Sequence, residues 1–432
     1  MKVSLGRNQS GISHHHRTAG DHLVRFETRV LSRHTKPWSE HLQNCSKWEF
    51  GRVYKFEKEL VHMSKGKRLI STVTSESTVH LSIEEFEVPN LGPDEVLVAV
   101  EASPINPSDL GVLLAGAEVS TVSKSENGIV LSLPDGAADA LAGRVDRAMP
   151  VGNEGAGIVV DAGNGEEAQA LQGQVVAALA GGMYATHRIV KARDCLVLEE
   201  GTKAVDAASC FVNPLTALGM IETMSLEGHS ALIHTAAASN LGQMLNRICI
   251  DDGIALVNIV RREEHVNLLE SQGATHVINS SSPDFRSDLV DAITTTGATV
   301  GFDAVGGGDL TTELLHAMEV AASSSGDEYS RYGSTTHKQL YIYGGLDRGP
   351  TLLRRNYGMA WGVAGWLLPN FLAKIGPEES EKLRRRVAAE LTTTFASSYS
   401  HTLSLESVLD IDSMNEYSQM STQGKSLVCP QL

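Results

Sequence analysis

Residues 231–242 read Ala-Leu-Ile-His-Thr-Ala-Ala-Ala-Ser-Asn-Leu-Gly. An apolar run, Ala231–His234, gives way to a short series of small residues, and a helical pattern, Gly242–Ile250, follows at once. Such a tight strand-to-helix turn points the N–H groups and positive dipole end of a helix toward whatever sits above the strand, which suits a pyrophosphate. Small side chains let the backbone come close, and Gly242 lets the helix pack tightly on the strand. Asn240 stands where a glycine would be easiest, and Asn is the non-glycine residue best tolerated at positive φ. Ala238, Ser239, Asn240, Leu241 and Gly242 are therefore the candidate cofactor-binding turn.

The same grammar repeats downstream. Apolar strands are expected at Ala255–Val260, His276–Asn279, Thr299–Val305 and Gln339–Tyr343, with helices at Glu263–Gln272, Phe285–Thr294 and Leu310–Val320 between them. Five strands linked by crossover helices predict a doubly wound parallel sheet, a Rossmann domain over residues 211–394. The Ser/Gly/Asp-rich stretch 321–337 is long enough to be a mobile loop. The second strand runs straight into Arg261-Arg262. A site for NADH places a carboxylate there for the ribose 2′-hydroxyl. Two guanidinium groups instead suit a 2′-phosphate, so NADPH is favoured over NADH. The plain alternative is a surface pair opposite Glu263 and Glu264.

The first third reads differently. Residues 68–101 are strand-like around the turn Asn90-Leu91-Gly92-Pro93, and Gly155–Val160 and Gln174–Ala180 flank Gly163-Asn164-Gly165. Residues 116–150 look irregular. An antiparallel β domain is expected over 63–210. Beyond a charged helix from Pro377 to about Thr394, the strand-like runs Ser400–Leu405 and Lys425–Val428 return to it, so residues 395–432 complete that domain.

The chain has 432 residues, 42% hydrophobic and 20% charged, with a net charge of −16. Those values describe a globular protein of more than one domain and argue against nucleic acid as a partner. Residues 1–62 are net basic and include the run His14-His15-His16, whereas the rest is acidic. They lack the apolar core of a secretory signal. A disordered or wrongly translated extension ahead of Met63 is expected, with a mitochondrial transit peptide as the alternative. The longest uncharged stretch, Asn356–Ala373, carries Gly358, Gly362, Gly365, Pro369 and Asn370 and reads as a buried strand beside a pocket or subunit interface, not a membrane span. Cys45, Cys195, Cys210, Cys249 and Cys429 are scattered with no CxxC pair, which predicts neither a disulfide framework nor a zinc knuckle and suits the cytoplasm.

Several motifs in fixed order resemble the medium-chain dehydrogenase/reductase superfamily, in its zinc-independent quinone reductase and enoyl-thioester reductase branch. They are Ser103-Pro104-Ile105-Asn106-Pro107-Ser108-Asp109, Gly152-Asn153-Glu154-Gly155-Ala156-Gly157, Asn213-Pro214-Leu215-Thr216-Ala217, the Ala236–Gly242 turn, Gly301-Phe302-Asp303-Ala304-Val305-Gly306 and Tyr343-Gly344-Gly345. The resemblance runs from about Arg68 to Leu432. It implies a GroES-like β-barrel catalytic domain, a Rossmann domain with a substrate cleft between them, and a homodimer. Zinc-dependent relatives carry a Cys near Pro107-Ser108, a His at Asn153 and a four-Cys lobe. This chain has no Cys between Cys45 and Cys195 and no His between His80 and His187. Zinc needs three or four such ligands, so no metal site is expected. Enoyl-thioester reductases also use a Tyr shortly after the Asn-Pro-Ser-Asp motif, and here the equivalent position is near Glu118.

Without zinc, hydride must go to a substrate that is already electrophilic, a quinone or an enone- or enoyl-type alkene. Asn106 is the candidate amide donor to the developing enolate oxygen, with an Asx turn before Pro107 as the plain alternative. Thr216 resembles a residue near the nicotinamide, or is a cap-like hydroxyl. Tyr184 is a candidate proton source or a packing residue. Val305, Gly344 and Gly345 would border the nicotinamide. A rival class is an NADPH-binding protein without significant turnover, of structural or regulatory role.

Overall fold

The computed structural model describes residues 65–324, 330–419 and 425–432. The expected extension over residues 1–62 lies outside the described residues.

The dinucleotide-type half is built as its alternation dictates. Six strands pair in the order His276–Asn279, Ala255–Val260, Ala231–Thr235, Val300–Asp303, Lys338–Ile342 and Trp361–Gly365. Every neighbouring pair is parallel. This order reverses beside Ala231–Thr235, the switch point at which open α/β sheets take their ligands. Ala231–Thr235 is buried along its whole length, as a strand covered by helices on both faces must be. One face packs Leu232 and Phe302 with Leu215, Leu245, Trp366 and Phe371. The other packs Ile233 and Val257 with Leu289, Leu315 and Leu340.

The sequence pattern predicts five strands, and the sixth, Trp361–Gly365, comes from the uncharged stretch 356–373. It is an edge strand, half-buried to exposed, rather than a buried one. Among the described residues, the run Ala204–Leu226 is long and apolar enough to cross a membrane, but 83% of its apolar window is buried within the protein. The helix Leu310–Ser324 extends into the stretch expected to be a loop, and residues 325–329 lie outside the described residues. Gly376 breaks the segment Leu368–Ala389 at φ 83°, so the charged helix does begin at Pro377.

The β half consists of two sheets. One runs Ser123–Ser125, Gly128–Ser132, Thr78–Glu87, Lys65–Val73, Met149–Pro150. In the other, the central strand Glu95–Pro104 pairs with Gly155–Ala162, His187–Lys191 and Lys425–Val428. Residues 116–150 are thus not wholly irregular: Gly128–Ser132 pairs along Thr78–Ser82, with Ile129 and Leu131 turned into the core. The C-terminal strands return as expected, since Lys425–Val428 joins Tyr399–Leu403 to the barrel.

Candidate functional site

The dinucleotide turn follows from three local facts. Ser239 caps the helix Asn240–Asp251, its hydroxyl accepting the N–H of Gly242 at 3.1 Å. A Cβ on Gly242 would lie 2.2 Å from the carbonyl oxygen of Ala237, so only glycine lets the helix start so close to the strand end. The residue at positive φ is Ala236, at 52°, and not Asn240. Asn240 is instead the first helical residue, and its amide donates to Ser397 at 3.1 Å. The expected role of Asn240 is corrected accordingly: the sharp bend falls at the strand end, four residues earlier.

Beside this turn, Asp303 holds the ends of the two central strands. Its buried carboxylate accepts from the Thr235 hydroxyl at 2.8 Å, the Val305 N–H at 2.8 Å, the Gly306 N–H at 3.2 Å and the Thr311 hydroxyl at 3.2 Å. Val305 and Gly344 therefore sit on a fixed floor. A Cβ on Gly344 would meet the Ala304 carbonyl at 2.6 Å, while one on Gly345 would meet nothing. Gly345 thus leaves open space where a ring could lie. Arg261 and Arg262 are exposed past the end of the second strand, with Arg262 paired to Glu264 at 3.1 Å. The turn, floor and arginines fit a bound NADPH: a cradle that a side chain would fill, and cations where a 2′-phosphate would fall.

The three expected catalytic side chains do not gather at one open point. Tyr184 is fully buried, and its hydroxyl donates to the Pro104 carbonyl at 3.0 Å. Burial also lifts its phenol well above the usual range, with nearby Asp109 adding to the effect. Tyr184 is corrected to a packing residue. Thr216 lies inside the helix Val212–Leu226, and its hydroxyl donates to the Val212 carbonyl at 2.5 Å, a turn-to-turn bond rather than a cap.

Asn106 is 1% exposed, and both ends of its amide are taken. Its Nδ2 donates to Glu154 Oε1 at 2.8 Å, and its Oδ1 accepts from Lys425 Nζ at 2.6 Å. Its second amide proton is buried with the rest of the side chain, and both polar atoms are engaged inside the protein, so its assignment as a substrate donor is corrected. Asp109 completes the cluster by accepting the N–H groups of Asn106 and Asn153 at 2.8 and 2.7 Å. Burial raises Asp109 to about 7 despite those bonds, and lowers Lys425 to about 8 despite Glu154 and Asp109 nearby. Glu154 is likewise raised, first by burial. Sequence reasoning passes over Glu154, Asp109 and Lys425 as site residues. The first two lie inside quoted motifs, but their partners are far away along the chain. Among the described residues no three or more His, Cys, Asp or Glu side chains are grouped to hold a metal.

The β sheets and the parallel sheet with its switch-point turn give the fold of the medium-chain dehydrogenase/reductases. A mutant form of the enoyl thioester reductase from Candida tropicalis superposes with TM-score 0.60 at 19% identity over 84% of this chain and 99% of the other. A protein from Mesorhizobium loti assigned as an NADPH:quinone reductase gives 0.63 at 23% over 85% and 99%. In sequence, the chain is 26% identical over 281 residues to the mitochondrial enoyl-[acyl-carrier-protein] reductase of Xenopus tropicalis, covering 62% of this chain and 67% of that one. It is 25% identical over 248 residues to an NADPH quinone oxidoreductase of Kluyveromyces marxianus, covering 52% and 58%. It is also 28% identical over 174 residues to the rat synaptic vesicle membrane protein VAT-1 homolog, covering 39% and 42%. The matches thus span about two fifths to two thirds of these relatives. No family model matches the chain. The chain has the fold of the superfamily and is related in sequence to its quinone reductases and enoyl reductases.

Proposed function

We propose that this protein is a zinc-independent, NADPH-dependent oxidoreductase that reduces a quinone or an activated alkene of the enone or enoyl type. The observation that carries the reading is the cradle of Ser239, Gly242 and Ala237 at the switch point, with Arg261 exposed beyond the neighbouring strand. The helix N-terminus at Ser239–Gly242 would hold the pyrophosphate, Arg261 and Arg262 the 2′-phosphate, and Val305, Gly344 and Gly345 the nicotinamide side. When bound, NADPH supplies hydride to an electrophilic carbon or quinone. The protein orients the reactants and excludes competing geometry. Because the Tyr184 hydroxyl is committed to Pro104, the accompanying proton is assigned to water.

A test is NADPH absorbance across a panel of quinones, enones and enoyl thioesters. Oxidation with at least one class supports the reading. Tight NADPH binding with no oxidation across the panel favours a binding protein of structural or regulatory role. The buried, engaged amide of Asn106 favours that second reading.

The zinc-free chemistry is supported by Ser108 and Asn153 at the positions where zinc-dependent relatives carry ligands. Their side chains bond each other at 3.0 Å. Purified protein should keep its turnover under chelators. We also assign the protein to the cytoplasm, supported by free Cys195, Cys210 and Cys249. A homodimer is proposed on the open edge of Trp361–Gly365, flanked by exposed Met359 and Leu367. Cell fractionation and sedimentation test these two assignments.

A further inference from the structure

The buried cluster around Asn106 joins three parts of the chain that are remote in sequence. Lys425 opens the last strand of the barrel, and its ammonium donates to Asn106 Oδ1 at 2.6 Å and to the Ser209 hydroxyl at 3.3 Å. Asn106 passes the link on, donating to Glu154 Oε1 at 2.8 Å. The other oxygen of Glu154 accepts the N–H groups of Phe211 and Val212 at 2.8 and 3.0 Å. Those two residues begin the helix Val212–Leu226, where the chain leaves the barrel for the dinucleotide domain.

We propose that Lys425 is a positioning residue that sets the junction between the two domains: by fixing which way the Asn106 amide points, it holds the Glu154 carboxylate against the start of the helix Val212–Leu226. An amide has one accepting end and one donating end. The ammonium demands the oxygen on its side, which leaves the NH₂ for Glu154. Rotating the amide would set NH₂ against ammonium and oxygen against carboxylate. Without the ammonium, that preference is lost, and two buried carboxylates, Asp109 and Glu154, face no cation. Neither Asp109 nor Glu154 can leave easily. Asp109 is pinned by two N–H groups. Glu154 is fully buried near Tyr184, Tyr399 and Cys210, whose ionisation its charge opposes. On the reductase reading, hydride transfer would take place between the two halves that this junction joins, where small misplacements are expensive in rate.

The kinetic arm rests on the reductase reading, so a second arm does not use turnover. Lys425→Met, Lys425→Arg and Asn106→Asp are compared with the wild-type full chain. Hydrogen exchange of the Phe211 and Val212 amides is read against the Ala231–Thr235 amides as an internal reference. Steady-state rates use a quinone acceptor at saturating NADPH. Lys425→Met should speed exchange at 211 and 212 by about tenfold or more with the reference unchanged, and should lower kcat by about 10- to 100-fold with little change in acceptor KM. Lys425→Arg, which keeps a cation, should recover most of both. Asn106→Asp, which keeps the contact to Lys425 but faces Glu154 with a carboxylate, should resemble Lys425→Met. If Lys425→Met does not fold, the other two variants still decide. Wild-type exchange at 211 and 212 in Lys425→Met, or Lys425→Arg as impaired as Lys425→Met, overturns the proposal. If the wild type fails to oxidise NADPH with every acceptor tested, the functional reading fails on its own and the exchange arm alone decides.

Discussion

The hydroxyl of Thr235 donates to the carboxylate of Asp303 at 2.8 Å, joining the C-terminal ends of the two central strands under the dinucleotide turn. The same hydroxyl accepts the N–H of Ala304 at 2.8 Å, so the bond fixes both the strand ends and the loop that follows. Asp303→Ala would strand the donors of Thr235, Val305, Gly306 and Thr311 in a fully buried place. Each stranded buried donor costs about 1–3 kcal/mol, so a loss on the order of 3 kcal/mol or more is expected in urea unfolding. An unchanged urea midpoint would show that the carboxylate is not what holds these ends.

Gly242 tests the cradle itself. Its missing Cβ is what allows a 2.2 Å approach to the Ala237 carbonyl. Gly242→Ala must push the helix start away from the strand end, a strain of about 1–3 kcal/mol. NADPH affinity should fall along with the melting temperature, because the displaced N–H groups are those that would face the pyrophosphate. Binding by fluorescence titration on the folded fraction checks this, and wild-type affinity in Gly242→Ala would remove the turn from the site.

Much of this architecture is legible in the sequence because it depends on local pattern. The strand Ala255–Val260 and the closing strand Lys425–Val428 appear with the bounds expected of them. The turn at 236–242 is visible from its small residues alone. The polar roles are less legible. Asn106 sits in a recognisable motif, but its partners Glu154 and Lys425 are 48 and 319 residues away in the chain. Nothing in the local spacing says that the amide is buried and engaged at both ends. Tyr184 fails for the same reason, since its acceptor is a backbone carbonyl 80 residues earlier. Ala236 at positive φ defeats residue preference outright, because strand and helix impose the bend whatever residue stands there.

Cofactor choice turns on Arg261. Arg262 has a carboxylate partner in Glu264, whereas Arg261 offers an exposed guanidinium beyond the strand end. Arg261→Glu should weaken NADPH by about 1.5–3 kcal/mol, the scale of a lost charge-assisted hydrogen bond, and leave NADH nearly unaffected. Tighter binding of NADH than of NADPH by the wild type would contradict the assignment before any variant is made.

Glu319 gives the expected acid limb of stability. Burial opposes its charge, but hydrogen bonds from Lys338, Ser334 and Ser323 outweigh that and bring it from the ordinary 4.5 down to about 2. The contacts are close: Lys338 Nζ lies at 2.5 Å, the Ser334 N–H at 2.7 Å, and the Ser334 and Ser323 hydroxyls at 2.8 and 2.9 Å. Lys338 itself is fully buried, so its ammonium has no water to fall back on. A carboxyl depressed on folding stabilises the native state above its unfolded value, and that stability drains away as pH falls toward the folded one. The contribution should therefore be whole above about 4.5 and be lost between there and about 2. Glu319→Gln should lower stability at neutral pH by stranding the Lys338 ammonium, and should flatten the fall in melting temperature over that acid window. A variant whose melting temperature falls with acid as steeply as the wild type's would mean that another carboxylate governs the limb.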